Sequence, residues 1–330
     1  MDSKLGMAQR VGGMDDRALA QLRQELHGRL IRPGDADYDA ARSLYNGMID
    51  KRPALIVRCA DAADVSAAVR FAGQHGLTVA VRGGGHNGAG LGSVDDGLVV
   101  DLSDMRGVQV DAARREVRVE GGCVWNDVDA ATAPYGLAVP TGFLSSTGVG
   151  GLTLGGGVGY LTRRFGLTID SLLEVEMVLA DGRFVVANAQ ENPDLFWAVR
   201  GGGGNFGVVT AFLFRGQEAG PTVYGGPIFW PLEYAADVMR QWRDLILSGP
   251  EELNGWFGFH TVPPVDMFPA EHHLKKMAVV TWCYTGDLDA AEQVFAPIRA
   301  FAPPAIDFAG PIPLATLQSL FDGLYPPGLQ

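Results

Sequence analysis

Glycine clusters in three short stretches of this chain, and this clustering constrains the fold more than any other feature. The 330 residues include 45 glycines, which is about twice the usual share of roughly 7%. The clusters cover residues 83–92, 142–159 and 201–207. A linker or a collagen repeat would distribute glycine differently, whereas close approach of another group to the backbone requires it locally. The sequence therefore predicts three loops at which a ligand or another segment meets the main chain.

Two of the clusters match the dinucleotide-binding pattern GxGxxG. The matching residues are Gly83, Gly85 and Gly88 in the first cluster and Gly202, Gly204 and Gly207 in the third. The pattern binds a pyrophosphate where a helix begins directly after it, because the helix N-terminus receives the phosphates. Neither cluster opens a helix, so a Rossmann NAD domain is not expected. Plain tight turns, or anion-binding nests of backbone N–H groups around a long diphosphate cofactor, are the alternatives.

Hydrophobic periodicity predicts alternating helices and strands before residue 216. Helices are predicted at residues 15–30, from a cap at Asp61 to residues 73–76, at 124–133 and after Asn192; strands are predicted at 54–58, 78–81, 98–101, 108–111, 116–120, 173–180, 183–187 and 208–214. The succession of strand, helix and strand over residues 54–81 indicates a βαβ unit and a partly parallel sheet. Asp181 and Gly182 predict a type I′ hairpin turn, and Asn192 and Pro193 predict a capped helix start.

The composition changes at residues 216–221, which predicts a domain boundary. Beyond it, strands are predicted at residues 223–230, 256–262 and 277–284, and helices at 231–247 and 290–301. This order predicts an α+β domain with an antiparallel sheet and helices on one face. The predicted division is an N-terminal helical segment at residues 1–46, a first domain at 47–217 and a second domain at 218–330.

Charge, cysteine content and hydropathy exclude several classes of protein. The 26 basic and 38 acidic side chains give a net charge of −12, which repels a nucleic-acid backbone. Cys59, Cys123 and Cys283 are too sparse for a disulfide framework or a thiolate metal site, and buried or lightly exposed thiols are expected. Residues 1–13 lack the apolar stretch of a signal peptide, and no run of 18 apolar residues occurs. A cytoplasmic protein without a membrane span is therefore expected.

The first glycine cluster holds a histidine in a specific context. Arg82-Gly83-Gly84-Gly85-His86-Asn87 follows a predicted strand and places an imidazole after three positions without side chains. A lone histidine is usually structural. Arg-Gly-Gly-Gly-His, however, resembles the flavin-attachment motif of the vanillyl-alcohol oxidase superfamily, in particular its berberine bridge enzyme-like members. The resemblance extends over roughly residues 52–330.

Two further motifs carry the same resemblance, in order and at family-like spacing. Residues 147–159, TGVGGLTLGGGVG, resemble the family's second signature, which lies against the flavin and its diphosphate. Residues 196–210, FWAVRGGGGNFGVVT, resemble the third, whose backbone meets the adenine end. By this resemblance the cofactor is FAD. The residues expected to bind it are Arg82, Gly83, Gly84, Gly85, His86, Asn87, Gly142, Ser146, Thr147, Gly148, Gly150, Gly151, Gly155, Gly159, Asn205, Gly207 and Val209.

The resemblance implies a two-subdomain PCMH-type FAD-binding domain followed by the α+β domain, which would bind substrate. It also implies one covalent bond between His86 and the 8α-methyl carbon of the flavin, and neutral imidazole is a nucleophile near neutral pH. Many relatives form a second bond through a cysteine just before the second glycine loop. Residues 142–147 contain no thiol, and Cys123 lies too far upstream. A single covalent bond is therefore expected.

The catalytic base stays unassigned, because the Tyr-x-Asn element that supplies it in the family is expected beyond residue 330. Within the chain, Tyr160 is expected to serve packing, and His260 to face outward to water rather than the site. His272 and His273 are expected in an exposed loop without metal ligation. Four aromatic residues are candidates either for the wall of a substrate pocket or for core packing, namely Trp230, Trp256, Phe257 and Trp282.

These features predict an FAD-linked oxidase or dehydrogenase. It would take a hydride from an alcohol, sugar, amine or secondary-metabolite substrate, with O2 as the electron acceptor. Two alternatives stay open. One is a reductase of the same superfamily with non-covalent FAD and a nicotinamide donor, which covalent flavin would exclude. The other is a protein that binds flavin, or only a small ligand, without turnover.

Overall fold

The structure is a computed structural model that describes residues 15–328. The expectation about residues 1–13, and the last two residues of the predicted second domain, lie outside the described part of the chain. Within residues 15–328, no helix combines the length and the apolar character needed to cross a membrane.

The first two sheets and the helices around them come from the N-terminal two thirds of the described chain. The strands are β1 (Arg29–Ile31), β2 (Leu55–Arg58), β3 (Val79–Arg82), β4 (Leu98–Asp101), β5 (Val108–Asp111), β6 (Glu116–Glu120), β7 (Leu137–Ala138), β8 (Leu172–Val178), β9 (Phe184–Asn188), β10 (Val208–Arg215) and β11 (Gln217–Glu218). The α-helices are α1 (Asp16–Glu25), α2 (Tyr38–Arg42), α3 (Ala62–His75), α4 (Trp125–Thr132), α5 (Val149–Leu154), α6 (Thr162–Phe165) and α7 (Pro193–Val199).

The first sheet has the strand order β1-β2-β4-β3. β2 and β3 both pair in parallel with β4, which confirms the parallel pairing expected from the βαβ pattern. Between them runs α3, whose first amides, those of Ala63 and Asp64, donate to the carboxylate of Asp61. It ends at Gly76, where φ is 62° and glycine is favoured. Apolar residues of α1, α3 and the strands form one buried core on this side of the sheet.

The predicted N-terminal helix is too long. The helix expected at residues 15–30 ends at Glu25, and Arg29–Ile31 forms β1 instead. The chain approaches β2 so closely that a side chain at Gly28 would overlap the carbonyl oxygen of Arg58. Backbone pairing with β2 therefore overrides the helical spacing of the apolar residues.

The second sheet has the order β5-β6-β10-β8-β9, and all its neighbouring strands are antiparallel. Trp125 of α4 packs against Phe214 of β10, with ring centroids 6.0 Å apart, in the core of this sheet. The predicted β8–β9 hairpin is present, but its turn differs from the prediction. Gly182 has φ of 81° while Asp181 does not have positive φ, whereas a type I′ turn needs positive φ at both central residues.

The start of α7 also differs in one respect. Pro193 occupies the first helical turn as predicted, but Asn192 does not cap the helix through its side chain. Its amide instead donates to the carbonyl oxygen of Val186 at 2.7 Å, and its backbone takes the left-handed conformation with φ of 48°. Asn192 therefore stabilises the preceding turn rather than the helix terminus.

The third sheet is formed by the remainder of the chain. Its strands are β12 (Thr222–Pro231), β13 (Leu253–Thr261), β14 (Lys276–Tyr284), β15 (Ile306–Asp307) and β16 (Gly310–Pro313), accompanied by α8 (Ala235–Ser248), α9 (Ala291–Arg299) and α10 (Leu314–Ser319). The order is β13-β14-β12-β15, with β16 also paired to β12, and every pairing is antiparallel. The long helices α8 and α9 cover one face, and the short α10 packs on the other. The predicted α+β class is confirmed.

The third sheet is joined to the second glycine cluster through β13. The side-chain amide of Asn254 donates to the carbonyl oxygens of Gly159 and Tyr160, at 3.1 and 3.0 Å. The guanidinium of Arg163 donates to the carbonyl oxygen of Pro250 at 2.9 Å. These bonds use backbone acceptors on both sides, so the face of the sheet opposite α8 and α9 is held against the glycine loops.

Candidate cofactor site

The first and second glycine clusters touch through their main chains. A Cβ built on Gly84 would overlap the backbone of Gly148, and one built on Gly148 would overlap Gly84. A Cβ on Gly83 would lie 3.1 Å from the carbonyl oxygen of Gly121. Glycine is required here because the two loops cross without room for a side chain.

The second cluster also meets the third. The amide of Gly203 donates to the carbonyl oxygen of Leu154 at 3.0 Å, which links the third cluster to the end of α5. At the end of α7, the Nε of Arg200 donates to the carbonyl oxygen of Ile169 at 3.2 Å. The second cluster therefore bridges the other two, and the three loops lie together.

A short helix that the sequence analysis did not predict, α5, occupies the middle of the second cluster. It begins after Gly148 and ends at Gly155. The hydroxyl of Thr153 in this helix, and that of Thr168 beside Gly157, are fully buried and have no hydrogen-bond partner among the described residues. Buried hydroxyls are normally satisfied, so these two are available to a polar ligand.

Four glycines of the clusters are not explained by contacts within the protein. A Cβ on Gly88, Gly151, Gly203 or Gly204 would have no described atom within 4 Å, and only Gly203 of the four has positive φ. Gly151 lies inside α5, where alanine would be favoured by helix propensity. Open, side-chain-free surface along three adjoining loops fits a long dinucleotide laid over them.

His86 lies on the first loop, two residues after the crossing at Gly84. Its imidazole is half-buried and stacks on the ring of Tyr45, with centroids 3.9 Å apart and planes 22° apart. Burial lowers the pKa of His86 below its usual value, while a backbone hydrogen bond with Ser146 and the carboxylate of Asp322 act in the opposite direction. The lowered pKa keeps the imidazole neutral at neutral pH, which leaves one ring nitrogen with a free lone pair.

Tyr45 and Asp322 were not identified from the sequence. Asp322 follows α10 and accepts from the amide of Ser145 at 3.1 Å and from its hydroxyl. The hydroxyl of Tyr45 donates to the carbonyl oxygen of Tyr325, 280 residues along the chain. Neither residue lies in a recognisable motif, so no local signal reveals a partnership that depends on the folded chain.

Arg82 has a different role from the one predicted. Its Nε donates to the carboxylate of Asp101 at 3.1 Å, and its Nη2 contacts the same carboxylate. Its Nη1 donates to the carbonyl oxygens of Ala41 and Ser43. Every guanidinium nitrogen is therefore bound by protein, and Arg82 fixes the end of β3 instead of offering its side chain to a cofactor.

Three other predicted site residues act within their own loops or strand. The side-chain oxygen of Asn87 accepts from the amide of Leu91 at 3.1 Å. The amide of Asn205 donates to the carbonyl oxygen of Gly202, also at 3.1 Å. Val209 is buried in the core of the second sheet. Their side chains shape the loops, and only their main chains are available to a ligand.

The remaining predicted residues are distributed along the converging loops. Gly142 and Gly159 are packed against protein, since a Cβ on Gly159 would overlap the carbonyl oxygen of Thr141 and one on Gly142 would lie 2.6 Å from the Leu152 side chain. The others belong to the segments that meet, namely Gly83, Gly84, Gly85, His86, Ser146, Thr147, Gly148, Gly150, Gly151, Gly155 and Gly207.

No cysteine is placed to form a second bond to a ligand at this site. Cys59, Cys123 and Cys283 are all buried free thiols. The main chain of Cys123 does touch the second cluster, because its carbonyl oxygen accepts from Val149 at 2.9 Å. Its thiol, however, contacts the carbonyl oxygen of Gly107, and burial raises its pKa to about 12. A thiol held so firmly protonated is not a nucleophile at neutral pH.

The face of the third sheet that meets the glycine loops carries alternate residues of β13. Asn254, Trp256 and His260 share this face, since successive strand residues alternate. Trp256 makes an edge contact with Phe143 of the second cluster, with centroids 3.9 Å apart, and the His260 ring stacks on Phe321 at 5.6 Å. The expectation that His260 faces away from the site is wrong.

The four aromatic candidates for a pocket wall divide between the two faces. Trp230 and Trp282 are fully buried beneath α8 and α9, and Phe257 packs against Trp242 of α8. Only Trp256 lies on the face toward the loops. Tyr160 is buried there as well, 5.2 Å from Phe143, in agreement with its expected packing role.

The glycine-loop site between two small sheets, with an antiparallel sheet held against it, defines an FAD-linked oxidoreductase fold. Residues 53–188 match the family model described as an FAD binding domain. The chain belongs to the berberine bridge enzyme-like FAD-linked oxidases of the vanillyl-alcohol oxidase superfamily.

Individual relatives support this assignment. The chain is 36% identical over 274 residues to (R)-6-hydroxynicotine oxidase of Paenarthrobacter nicotinovorans, covering 83% of this chain and 58% of the relative. It is 39% identical over 231 residues to the FAD-linked oxidoreductase pgmH of Aspergillus terreus, covering 69% of this chain and 46% of the relative. In both comparisons the chain spans less than two thirds of the relative's own length.

Solved structures agree. The crystal structure of 6-hydroxy-D-nicotine oxidase from Arthrobacter nicotinovorans superposes with a TM-score of 0.81 at 33% identity, over 89% of this chain and 64% of that one. The berberine bridge enzyme-like protein 1 of Physcomitrella patens superposes with a TM-score of 0.80 at 27% identity, over 94% and 65% of the two chains.

Proposed function

We propose that this protein is an FAD-dependent oxidase in which His86 carries the flavin through one covalent bond. Its substrate is an alcohol, sugar, amine or secondary metabolite, and O2 is the electron acceptor. Two relatives are named as oxidases of 6-hydroxynicotine and of xylooligosaccharides, which supports an oxidase but leaves the substrate class broad. When bound, the flavin supplies an acceptor for a hydride.

The observation that carries the proposal is the state of His86. The imidazole is neutral, half-buried and stacked, and it stands on the loop whose main chain crosses the second glycine cluster at Gly84 and Gly148. A neutral imidazole offers an unprotonated nitrogen as a nucleophile. A structural histidine in a core would more often be held by hydrogen bonds to both ring nitrogens.

The covalent bond balances without any further protein group. The imidazole nitrogen bonds to the 8α-methyl carbon, the displaced C–H and N–H hydrogens end as protons on the reduced ring, and the electron pair of the C–H bond stays there. O2 then removes these two electrons and two protons and becomes hydrogen peroxide. The protein has to supply only an orientated nitrogen, an anchored dinucleotide and access for oxygen.

Substrate would bind between the flavin and the face of the third sheet that carries Trp256 and His260. Trp256 offers an aromatic wall against Phe143, and its indole N–H is buried without a partner among the described residues. Burial lowers the pKa of His260, so its imidazole is neutral and able to accept a hydrogen bond. An aromatic wall with a neutral acceptor suits a substrate that presents an O–H or N–H beside an apolar ring.

Acid precipitation of the purified protein tests the covalent bond. Yellow colour that stays in the pellet, with a flavin mass on the peptide containing His86, is the expected result. The variant His86→Ala should bind FAD but release it into the supernatant. A wild-type pellet without colour beside a yellow supernatant would contradict the covalent bond and favour a non-covalent reductase.

A second measurement separates an oxidase from a protein that only binds flavin. After chemical reduction, the bound flavin of an oxidase should regain its colour within seconds to minutes in air. Candidate alcohols, sugars and amines are then screened for anaerobic bleaching. A flavin that is never bleached by any of them and does not reoxidise in air would contradict the proposed activity.

A further inference from the structure

Tyr45 is held between the flavin-attachment loop and the segment after α10. Its amide donates to the carbonyl oxygen of Gly85 at 3.2 Å, and its own carbonyl oxygen accepts from the amide of Gly328 at 2.9 Å. Its hydroxyl donates to the carbonyl oxygen of Tyr325. The ring and the main chain of Tyr45 are therefore fixed on both sides, and the residue cannot rotate freely.

The ring of Tyr45 lies flat against that of His86. The centroids are 3.9 Å apart and the planes differ by 22°. The loop around His86 consists largely of glycine, and Gly85 has φ of 72°, so neighbouring side chains cannot restrain the imidazole. Stacking on an immobile ring is then the main restraint on its rotation about χ2.

We infer that Tyr45 is a positioning residue for the attachment of flavin to His86. The inference rests on the proposed covalent function. The lone pair of the attacking nitrogen lies in the plane of the imidazole, so the angle of that plane decides whether the pair points at the methyl carbon. Tyr45 sets this angle before the bond forms.

The bond formed is the one already described: nitrogen to methyl carbon, with two hydrogens and two electrons passing to the flavin and then to O2. Tyr45 contributes no proton and no electron. It acts through the geometry of His86, and a misplacement of about 1 Å can slow an intramolecular step by roughly 100-fold.

Three variants of the full chain separate positioning from folding. Tyr45→Phe keeps the aromatic face and loses only the hydroxyl. Tyr45→Leu removes the flat ring. Tyr135→Leu is the matched control, because Tyr135 is a tyrosine 55% exposed on the far side of α4 from this loop in sequence. Each protein is prepared without flavin, mixed with FAD, and sampled over time for total bound flavin and for flavin that survives acid.

We expect Tyr45→Leu to bind as much total flavin as wild type while its rate of covalent attachment falls at least 10-fold. Tyr45→Phe and Tyr135→Leu should attach flavin at the wild-type rate. The ratio of acid-stable to total flavin is the decisive readout, because a general loss of structure would lower both together. If Tyr45→Leu does not fold, Tyr45→Met fills similar space without a ring plane and carries the same expectation.

Two results would overturn the inference. Attachment at the wild-type rate in a folded Tyr45→Leu or Tyr45→Met protein would show that the stack does not orientate His86. A parallel fall of total and covalent flavin would show that Tyr45 only stabilises the loop. Wild-type protein that binds FAD but never forms acid-stable flavin contradicts the proposed covalent function itself, and the inference falls with it.

Discussion

Gly84 and Gly148 lie main chain against main chain, at the point where the loop after β3 crosses the entry to α5. β3 is an edge strand of the first sheet, and α5 packs toward the second. The crossing therefore joins the two small sheets and sets the position of His86 two residues later.

Substitution at this crossing should damage the fold itself. Gly84→Ala would place a methyl group inside the backbone of Gly148, and we expect the free energy of unfolding to fall by about 1–3 kcal/mol. Gly73→Ala is the control, because a Cβ there meets no atom within 4 Å and lies in the last turn of α3. It should leave stability unchanged or raise it by about 0.5–1 kcal/mol. Urea unfolding of both proteins measures the difference, and equal stability would contradict the crowding at Gly84.

Gly151 should behave in the opposite way. A Cβ there meets no protein atom and the position is helical, so Gly151→Ala should keep or slightly raise the stability of the flavin-free protein. If the cofactor lies along this surface, the same methyl group should weaken FAD binding by at least 10-fold. Fluorescence titration with FAD checks the affinity. Unchanged affinity would show that the ligand does not approach Gly151.

The direction of the pKa shift at His86 predicts how covalent attachment depends on pH. Burial lowers the pKa below 6.5, so the imidazole is already neutral at pH 6.5 and above. The rate of attachment should therefore be nearly constant from pH 7 to 8.5 and fall only below about pH 6.5. A rate that continues to rise 10-fold per pH unit above pH 7 would contradict a neutral imidazole in the free protein.

Regular elements of the fold could be predicted where local pattern and packing agree. The helix from Asp61 to Gly76 has its capping carboxylate and its terminal glycine, and β2 to β4 have continuous apolar runs; both predictions hold. The pattern around Gly28 favoured a helix, but pairing with β2 decided otherwise. Strand alternation in the third sheet separated two faces, yet it could not say which face meets helices, so Trp230 and Trp282 stayed ambiguous.

The candidate site could be predicted only in part, for a related reason. The glycine loops and His86 are local signals, because each needs a special backbone or a special side chain. Tyr45 and Asp322 act through contacts with residues 280 and 177 positions away, and no periodicity encodes such pairs. Arg82 was misjudged because its acceptor, Asp101, lies on a strand that only the parallel pairing brings beside it.

Loss of the Arg82 side chain should therefore reduce stability rather than act on the cofactor directly. Arg82→Met leaves the fully buried carboxylate of Asp101 with Arg58 as its only remaining guanidinium partner. Breaking a buried pair costs about 3–5 kcal/mol, and the second arginine should keep the loss near the lower end. Arg183→Met, at an exposed position, is the control. A variant with wild-type stability and weakened FAD binding would restore Arg82 as a cofactor ligand.

Asp129 in α4 should make stability depend on pH. Burial raises its pKa to about 7, and one carboxylate oxygen has no partner among the described residues. The unfolded chain releases this proton near pH 4, so between about pH 4 and 7 the folded protein binds more protons than the unfolded one. Stability contributed by this group is therefore complete below pH 4 and is lost as pH rises toward 7.

Asp129→Asn removes this titration while it keeps the shape of the side chain. The free energy of unfolding of wild type, taken relative to the variant, should fall by roughly 2–3 kcal/mol between pH 5 and pH 8. Other titrating groups cancel in this difference because both proteins share them. Urea unfolding at the two pH values measures it. Curves that stay parallel would mean that Asp129 is ionised or hydrated in the folded protein, and α4 would then have to carry a charge next to Trp125 in the core of the second sheet.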